Sequence, residues 1–183
     1  MKLEGNAPFI VFDDVDAAVE GAMAAKTRTM GEACTAANRF LAHRSVADEF
    51  ARELARRMSA LVVGPGTRSG IDIGPLIDAA GRAKVENSWP TRCNAAPGTS
   101  SEAIRPGGRA TSTHRPYSPR STPAAAMSTE ISGPVAAVLT LEDKDKVLRR
   151  ANDTPRGSSA TSSPRDWTAA CASAKGWRSA WSA

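Results

Sequence analysis

The first 86 residues alternate apolar segments of strand length with segments of helical period, and this alternation constrains the fold more than any other feature of the chain. The pattern predicts a strand within residues 5–14, a helix over 15–23 and a short strand over 39–43. A second helix follows, in which apolar side chains recur at helical spacing: Val46, Phe50, Leu54, Met58 and Leu61. Alternating strands and helices predict an α/β fold.

The ends of this second helix also have sequence signals. Ser45 precedes the apolar stripe, and a serine hydroxyl at that position can accept a hydrogen bond from a free backbone N–H of the first turn. A Gly-Pro-Gly run at 64–66 then interrupts the helical pattern. We therefore expect Ser45 to cap the helix and residues 64–66 to lie beyond its end.

One cysteine, Cys34, lies in the run Gly-Glu-Ala-Cys-Thr-Ala-Ala-Asn-Arg at residues 31–39. The run predicts a turn led by Gly31 into a short helical segment. A thiolate attacks an electrophilic carbonyl, and the partial positive charge at the start of a helix lowers the pKa of a thiol. The alternative is that Cys34 is inert apolar packing, as most buried cysteines are. The residue alone leaves both interpretations open.

Three separated blocks, at residues 5–14, 26–39 and 74–77, resemble the catalytic domain of the aldehyde dehydrogenase superfamily, and within it the succinate-semialdehyde dehydrogenases. The resemblance implies a parallel-type sheet flanked by helices. It also implies oxidation of an aldehyde to a carboxylic acid with NAD or NADP. In the family, the cysteine forms a thiohemiacetal and then a thioester, which water activated by a glutamate hydrolyses. By this resemblance Cys34 is the nucleophile.

The resemblance implies two binding residues as well. Arg28 matches the arginine that holds the substrate carboxylate, whose two oxygens suit a guanidinium fork. From the residues alone, a solvated surface arginine is the alternative. Residues 126–135 resemble the block that reaches the nicotinamide ribose, and there Glu130 matches the cofactor-binding acid. In this block Ser132 replaces a phenylalanine, and one of two consecutive glutamates is missing.

The amino end of the chain departs from the family. Residues 2–6 read Lys-Leu-Glu-Gly-Asn where the family has Glu-Leu-Gly-Gly-Asn, so an ungapped alignment puts Lys2 at the position of the general base. An ammonium accepts no proton at neutral pH unless burial strongly lowers its pKa. We therefore predict that thioester hydrolysis fails. A gapped alignment that makes Glu4 the base is the alternative.

The length of the chain also departs from the family. Family members are more than twice as long as these 183 residues, and the sequence contains no Gly-x-Gly-x-x-Gly phosphate loop. We expect the N-terminal Rossmann-type cofactor domain to be absent, and the chain to be inactive by itself.

The composition changes after residue 86. Residues 87–122 contain 5 Lys and Arg against 1 Asp and Glu, and residues 156–183 contain 4 against 1. Both segments are rich in Ser, Pro, Thr and Ala without a sustained period, which is typical of low order. Read one nucleotide earlier, their codons can encode strings that resemble the family, including Phe-Tyr-x-Pro-Thr-Val-Leu and Gly-Met-Val-Gly.

Our hypothesis is that nucleotide insertions or deletions shift the reading frame near residues 86, 122 and 156. It divides the chain into a catalytic-domain core at 1–86, an out-of-frame segment of low order at 87–122, a frame-restored segment at 123–155 and an out-of-frame tail at 156–183. Coding DNA that lacks the apolar strings in the neighbouring frame would exclude the hypothesis. On this view Cys93 and Cys171 are accidents of frame.

Two other functional classes are compatible with parts of the sequence. A basic nucleic-acid-binding protein would fit the pI of about 9.5, but no helix-turn-helix or RNP-like block accompanies the arginines, so we expect no nucleic-acid partner. The other class is a non-functional remnant of a decayed gene. His43 is interpreted as a strand-end residue and His114 as incidental, so we expect no metal site.

Location and partners follow from the same reasoning. Without a secretory signal or an apolar run of about 18 residues, we expect a cytoplasmic protein without a membrane partner. The resemblance implies a small-molecule aldehyde as the substrate. It implies a homo-oligomer for the family, which need not extend to this chain.

Overall fold

The secondary structure follows the alternation of the sequence in a computed structural model, which describes residues 5–87, 101–104, 130–154 and 161–163. The elements are β1 (Ala7–Val11), α1 (Val15–Thr27), a 3₁₀ turn (Arg28–Gly31), β2 (Ala37–His43), α2 (Ala47–Ser59), α3 (Ala79–Asn87), β3 (Ser101–Ile104), β4 (Ala136–Leu141), α4 (Lys144–Asn152) and β5 (Thr161–Ser163).

The strands form one five-stranded sheet in the order β3-β4-β2-β1-β5. The pairs β1–β2, β2–β4 and β1–β5 are parallel, and β3 runs antiparallel to β4. The predicted α/β fold is therefore confirmed. Because parallel strands share one direction, the segments that precede β1, β2 and β4 meet at the same edge of the sheet.

The two faces of the sheet are both covered. On one face, the tilted rings of Phe9 of β1, Phe40 of β2 and Phe50 of α2 pack against one another in turn, with ring centroids 5.5 Å and 6.2 Å apart. On the other face, Ile10 and Leu41 pack with Val147 of α4. Burial on both faces explains why β1 and residues 40–42 of β2 are continuous apolar runs rather than alternating ones.

Helix α2 buries the predicted stripe. Phe50, Leu54 and Met58 are fully buried, and Val46 and Leu61 lie half-buried just outside the helix ends. The expectation for Ser45 was wrong, because Val46 is the N-cap residue and no side chain caps the helix. The Ser45 hydroxyl instead lies 2.8 Å from Nδ1 of His43, at the end of β2. The imidazole therefore competes with the backbone N–H groups of α2 for this hydroxyl.

Arg39 of β2 connects α4 to the sheet through hydrogen bonds. Its guanidinium is buried and donates to the backbone carbonyl oxygens of Asn6, Arg150 and Ala151 at 3.1, 2.8 and 2.9 Å. Burial lowers the pKa of Arg39 to about 10. Two of these carbonyls belong to the last turn of α4, where a cation satisfies groups that the helix itself leaves unpaired.

Strands β3 and β5 lie in the two segments for which we expected little order. Their ladders form between backbone groups, which explains how short strands arise there without an apolar pattern. Apart from Asn87, the last residue of α3, the other residues of these segments, including Cys93, His114 and Cys171, lie outside the described residues.

Two absences apply to the described part of the chain. No helix there is long and apolar enough to cross a membrane. No group of three or more His, Cys, Asp or Glu side chains in those residues could hold a metal ion.

Candidate active site

Three segments meet at the amino-terminal edge of the parallel strands. Residues 5–6 lead into β1, the cysteine loop (residues 31–36) leads into β2, and the Glu130 segment (residues 130–133) precedes β4. Ligands of open α/β sheets usually bind at the opposite, carboxyl-terminal edge. Here the candidate site residues Cys34 and Glu130 lie at the amino-terminal edge instead.

Cys34 lies exposed in a turn of the cysteine loop. The prediction that it begins a helical segment was wrong, because the loop continues directly into β2. The helix end that precedes the loop is the C-terminal end of α1, whose partial charge is negative. The helix-start argument for activating the thiol therefore does not apply in this fold.

The turn between α1 and the cysteine loop has an unusual backbone. Thr29, Met30 and Gly31 have φ angles of 51°, 61° and 70°, all in the left-handed region. That conformation costs roughly 1–2 kcal/mol for each residue with a Cβ, so the turn is held by its surroundings. One support is the hydrogen bond from the backbone N–H of Gly133 to the carbonyl oxygen of Gly31, at 3.1 Å.

A cleft of about 600 Å³ opens beside the cysteine loop. Its walls are small side chains and one long cation: Gly21, Ala24, Ala25, Arg28, Thr29, Ala33, Thr35 and Ala36. Both sequence neighbours of Cys34 belong to this wall. Arg28, which is exposed, supplies the positive charge among these lining residues. The cleft thus brings the predicted substrate-binding residue and the loop of the predicted nucleophile together.

Glu130 joins the site from the third segment. Its Oε2 accepts a hydrogen bond from the backbone N–H of Gly5 at 3.0 Å. The following residue, Ile131, donates its N–H to Oδ1 of Asn38 at 2.9 Å, and Nδ2 of Asn38 donates to Oδ1 of Asn6 at 2.8 Å. The half-buried carboxylate is therefore fixed between residue 5 and the start of β2. Lys2 and Glu4 lie outside the described residues.

Gly5 packs directly on the cysteine loop. A Cβ on Gly5 would overlap the carbonyl oxygen of Cys34 and would lie 2.8 Å from its carbonyl carbon. We predict that Gly5→Ala displaces the loop, lowers stability by about 1–3 kcal/mol and changes the alkylation rate of Cys34. Thermal melting and iodoacetamide kinetics measure the two effects. Gly66→Ala is the control, since a Cβ there meets nothing within 4 Å, and equal results for both variants would contradict the prediction.

Lys26 is the residue at this edge that the sequence did not reveal. It belongs to the last turn of α1, its side chain is fully buried, and its Nζ donates to the carbonyl oxygen of Ile131 at 3.4 Å. Burial lowers the pKa of Lys26 to about 7, against the opposing effect of the Glu130 charge. The sequence offered one signal, since Lys26 is the single basic residue in a helix rich in alanine.

Comparisons with known proteins identify the family of the chain. The profile described as the aldehyde dehydrogenase family matches residues 1–180. The chain belongs to the aldehyde dehydrogenase family. A succinate-semialdehyde dehydrogenase of Paenarthrobacter nicotinovorans is 42% identical over 174 residues, which cover 91% of this chain and 38% of the relative. An Escherichia coli strain K12 protein named succinate-semialdehyde dehydrogenase (NADP+) is 39% identical over 180 residues, 91% of this chain and 35% of the relative.

The fold of this aldehyde dehydrogenase chain also matches a solved structure. The crystal structure of succinate-semialdehyde dehydrogenase from Burkholderia pseudomallei superposes with a TM-score of 0.79 at 33% identity. The match covers 98% of this chain and 38% of the solved one. The chain therefore spans little more than a third of the length of the relatives it matches, and it forms part of the α/β fold of an aldehyde dehydrogenase.

Proposed function

We propose that this chain serves the NAD(P)-dependent oxidation of an aldehyde to a carboxylic acid, with Cys34 as the nucleophile and succinate semialdehyde as the substrate. The observation that carries the proposal is the exposed thiol in a loop whose neighbouring residues line a cleft with Arg28. Relatives named succinate-semialdehyde dehydrogenase support the choice of aldehyde.

The chemistry at Cys34 begins with loss of the thiol proton. The thiolate sulfur then forms a bond to the aldehyde carbon, and the carbonyl oxygen takes up a proton to give a thiohemiacetal. This adduct becomes a thioester when its carbon loses a hydride and its hydroxyl group loses a proton to water; nicotinamide, when bound, would supply the hydride acceptor. Water finally cleaves the carbon–sulfur bond, which releases the acid and returns the thiol.

One residue of the site, Glu130, fits the ribose of a nicotinamide nucleotide. Glu130 is a half-buried carboxylate held beside the cysteine loop by the N–H of Gly5. A carboxylate accepts hydrogen bonds from the hydroxyl groups of a ribose, since it has two oxygens and several lone pairs. We propose that Glu130 holds the ribose next to the reacting carbon. NAD and NADP are both compatible with this role.

Arg28 gives the proposal its substrate class. A guanidinium binds a carboxylate through two parallel hydrogen bonds, and succinate semialdehyde carries one at the end remote from the aldehyde. The small side chains of the cleft leave room for a four-carbon chain between Arg28 and the cysteine loop. An aldehyde of the same length without the carboxylate lacks this contact.

The last step is where we propose that this chain fails. Lys2 stands at the general-base position in the ungapped alignment, and its ammonium has no lone pair with which to activate water. We propose that the thioester on Cys34 persists and that the 183 residues alone show no turnover. The alternative is that the chain has no function and is the product of a decayed gene. A cytoplasmic location stays a prediction.

The experiment that tests the proposal measures protection of Cys34 from iodoacetamide by two aldehydes of equal length. Alkylation is followed by mass spectrometry of the peptide that contains Cys34. Succinate semialdehyde is expected to protect at a concentration about tenfold lower than butanal, because a charge-assisted hydrogen bond contributes about 1.5 kcal/mol or more. Arg28→Gln is expected to remove the difference.

Arg57→Gln is the matched control, since Arg57 is an exposed arginine on α2 outside the cleft lining. It is expected to keep the tenfold preference. Equal protection by the two aldehydes in the unmodified chain would contradict the choice of substrate. No protection by either aldehyde would contradict the role of Cys34.

A further inference from the structure

Lys26 carries an ammonium group into the interior, between the last turn of α1 and the Glu130 segment. Its side chain is 0% exposed, and its Nζ donates a hydrogen bond to the carbonyl oxygen of Ile131 at 3.4 Å. Burying a charge is costly, and an apolar side chain of similar length would fill the same space without that cost. Packing alone therefore does not explain a lysine at this position.

Two contacts connect Lys26 with the cysteine loop. Through its side chain it holds Ile131, and the adjacent Glu130 binds the N–H of Gly5, which packs on the backbone of Cys34. Through its backbone it touches the start of the loop, since a Cβ on Gly31 would lie 2.8 Å from the carbonyl oxygen of Lys26. Lys26 therefore lies where the Glu130 segment and the cysteine loop are held together.

We propose that Lys26 is a positioning residue whose charged ammonium holds the Glu130 segment against the cysteine loop, so that its protonation state controls the reactivity of Cys34. The proposal rests on the proposed role of Cys34 as the nucleophile. Because Lys26 is fully buried, it acts through Glu130 and Ile131 rather than by touching a substrate.

The electrostatics give this contact a dependence on pH. The pKa of Lys26 lies near 7, so the side chain gains or loses its charge around neutrality. Glu130 is the charged group among the described residues whose field acts on it. The other ionisable side chains on α1, on the elements packed against it and on the cysteine loop are not among the charges that shift the pKa of Lys26: Asp16, Glu20, Arg28, Glu32, Cys34, Arg39, His43, Asp48, Glu49, Arg52, Glu53, Arg56 and Arg57. Below pH 7 the ammonium attracts Glu130, and above pH 7 this attraction is lost.

The test compares the iodoacetamide rate of Cys34 in the full chain and in Lys26→Met at several pH values between 6 and 9. At pH 6 we expect the unmodified chain to react roughly fivefold faster, because the charged ammonium keeps the Glu130 segment and the cysteine loop in place. At pH 9, where Lys26 is neutral, the two rates are expected to converge. Taking the ratio at each pH cancels the titration of the thiol itself.

Two further variants make the result decisive. Thr27→Val removes the hydrogen bond from Thr27 Oγ1 to the carbonyl oxygen of Met23 in the same turn, and it is expected to show one ratio at all pH values. Glu130→Gln removes the charge that the ammonium attracts and that raises the pKa of Lys26, so the change in the pH profile of the otherwise unmodified chain is expected to be smaller and to occur at lower pH. This second comparison stands even where Lys26→Met does not fold.

A rate ratio for Lys26→Met that is the same at pH 6 and pH 9 would show that Lys26 only fills space, and would overturn the proposal. An unmoved profile in Glu130→Gln would overturn it as well. Iodoacetamide reports on the thiol without any aldehyde. A failure of the Lys26 proposal is therefore distinguishable from a failure of the proposed aldehyde oxidation, which the protection experiment measures.

Discussion

Lys2→Glu is expected to convert a single acylation of the chain by p-nitrophenyl acetate into steady turnover. In the unmodified chain, we expect the thiolate of Cys34 to displace nitrophenolate and the acetyl thioester to accumulate, because an ammonium at the position of Lys2 cannot activate water. A carboxylate at this position supplies a general base, which accelerates deacylation by about 100-fold or more. Stopped-flow absorbance of nitrophenolate measures the burst and the steady rate separately.

Two controls make the Lys2 result specific. Lys2→Gln removes the positive charge without adding a base, and it is expected to keep the burst without turnover. Glu4→Gln tests the gapped alignment, in which Glu4 is the base. Steady turnover in the unmodified chain that disappears in Glu4→Gln would contradict our assignment of Lys2 and support the alternative.

Cys34→Ser is expected to abolish the nitrophenolate burst altogether. A serine hydroxyl at its ordinary pKa is a weak nucleophile without an adjacent base, whereas a few per cent of a cysteine is already thiolate near neutral pH. The matched control is the double variant Cys93→Ser and Cys171→Ser, which leaves Cys34 as the sole thiol of the chain. A burst that persists in Cys34→Ser, or that is lost in the double variant, would show that another cysteine is acylated.

The α/β fold was predictable because its signal is local. The apolar runs of β1 and β2 and the stripe of α2 each lie within a few turns or a few residues of sequence, and burial in the fold matches them. The membership in the aldehyde dehydrogenase family was predictable for a related reason, since the matching blocks are contiguous stretches of chain. The profile match over residues 1–180 confirms this membership.

The details of the candidate site depend on where separate segments meet, which the sequence does not show. The sequence gives no sign that Thr29 and Met30 adopt the left-handed conformation, because threonine and methionine usually avoid it. Whether Cys34 begins a helix or enters a strand depends on how soon β2 starts. The burial of Lys26 requires the Glu130 segment, more than 100 residues away, to pack over it.

The measurement that tests the central claim most directly is ¹³C NMR of succinate semialdehyde labelled at its aldehyde carbon, in the presence of the full chain. The account predicts a new resonance for a carbon bonded to both oxygen and sulfur, which is absent with Cys34→Ser and weakened with Arg28→Gln. A resonance of undiminished intensity in Cys34→Ser would contradict the account, since the aldehyde would then be bound by a different residue.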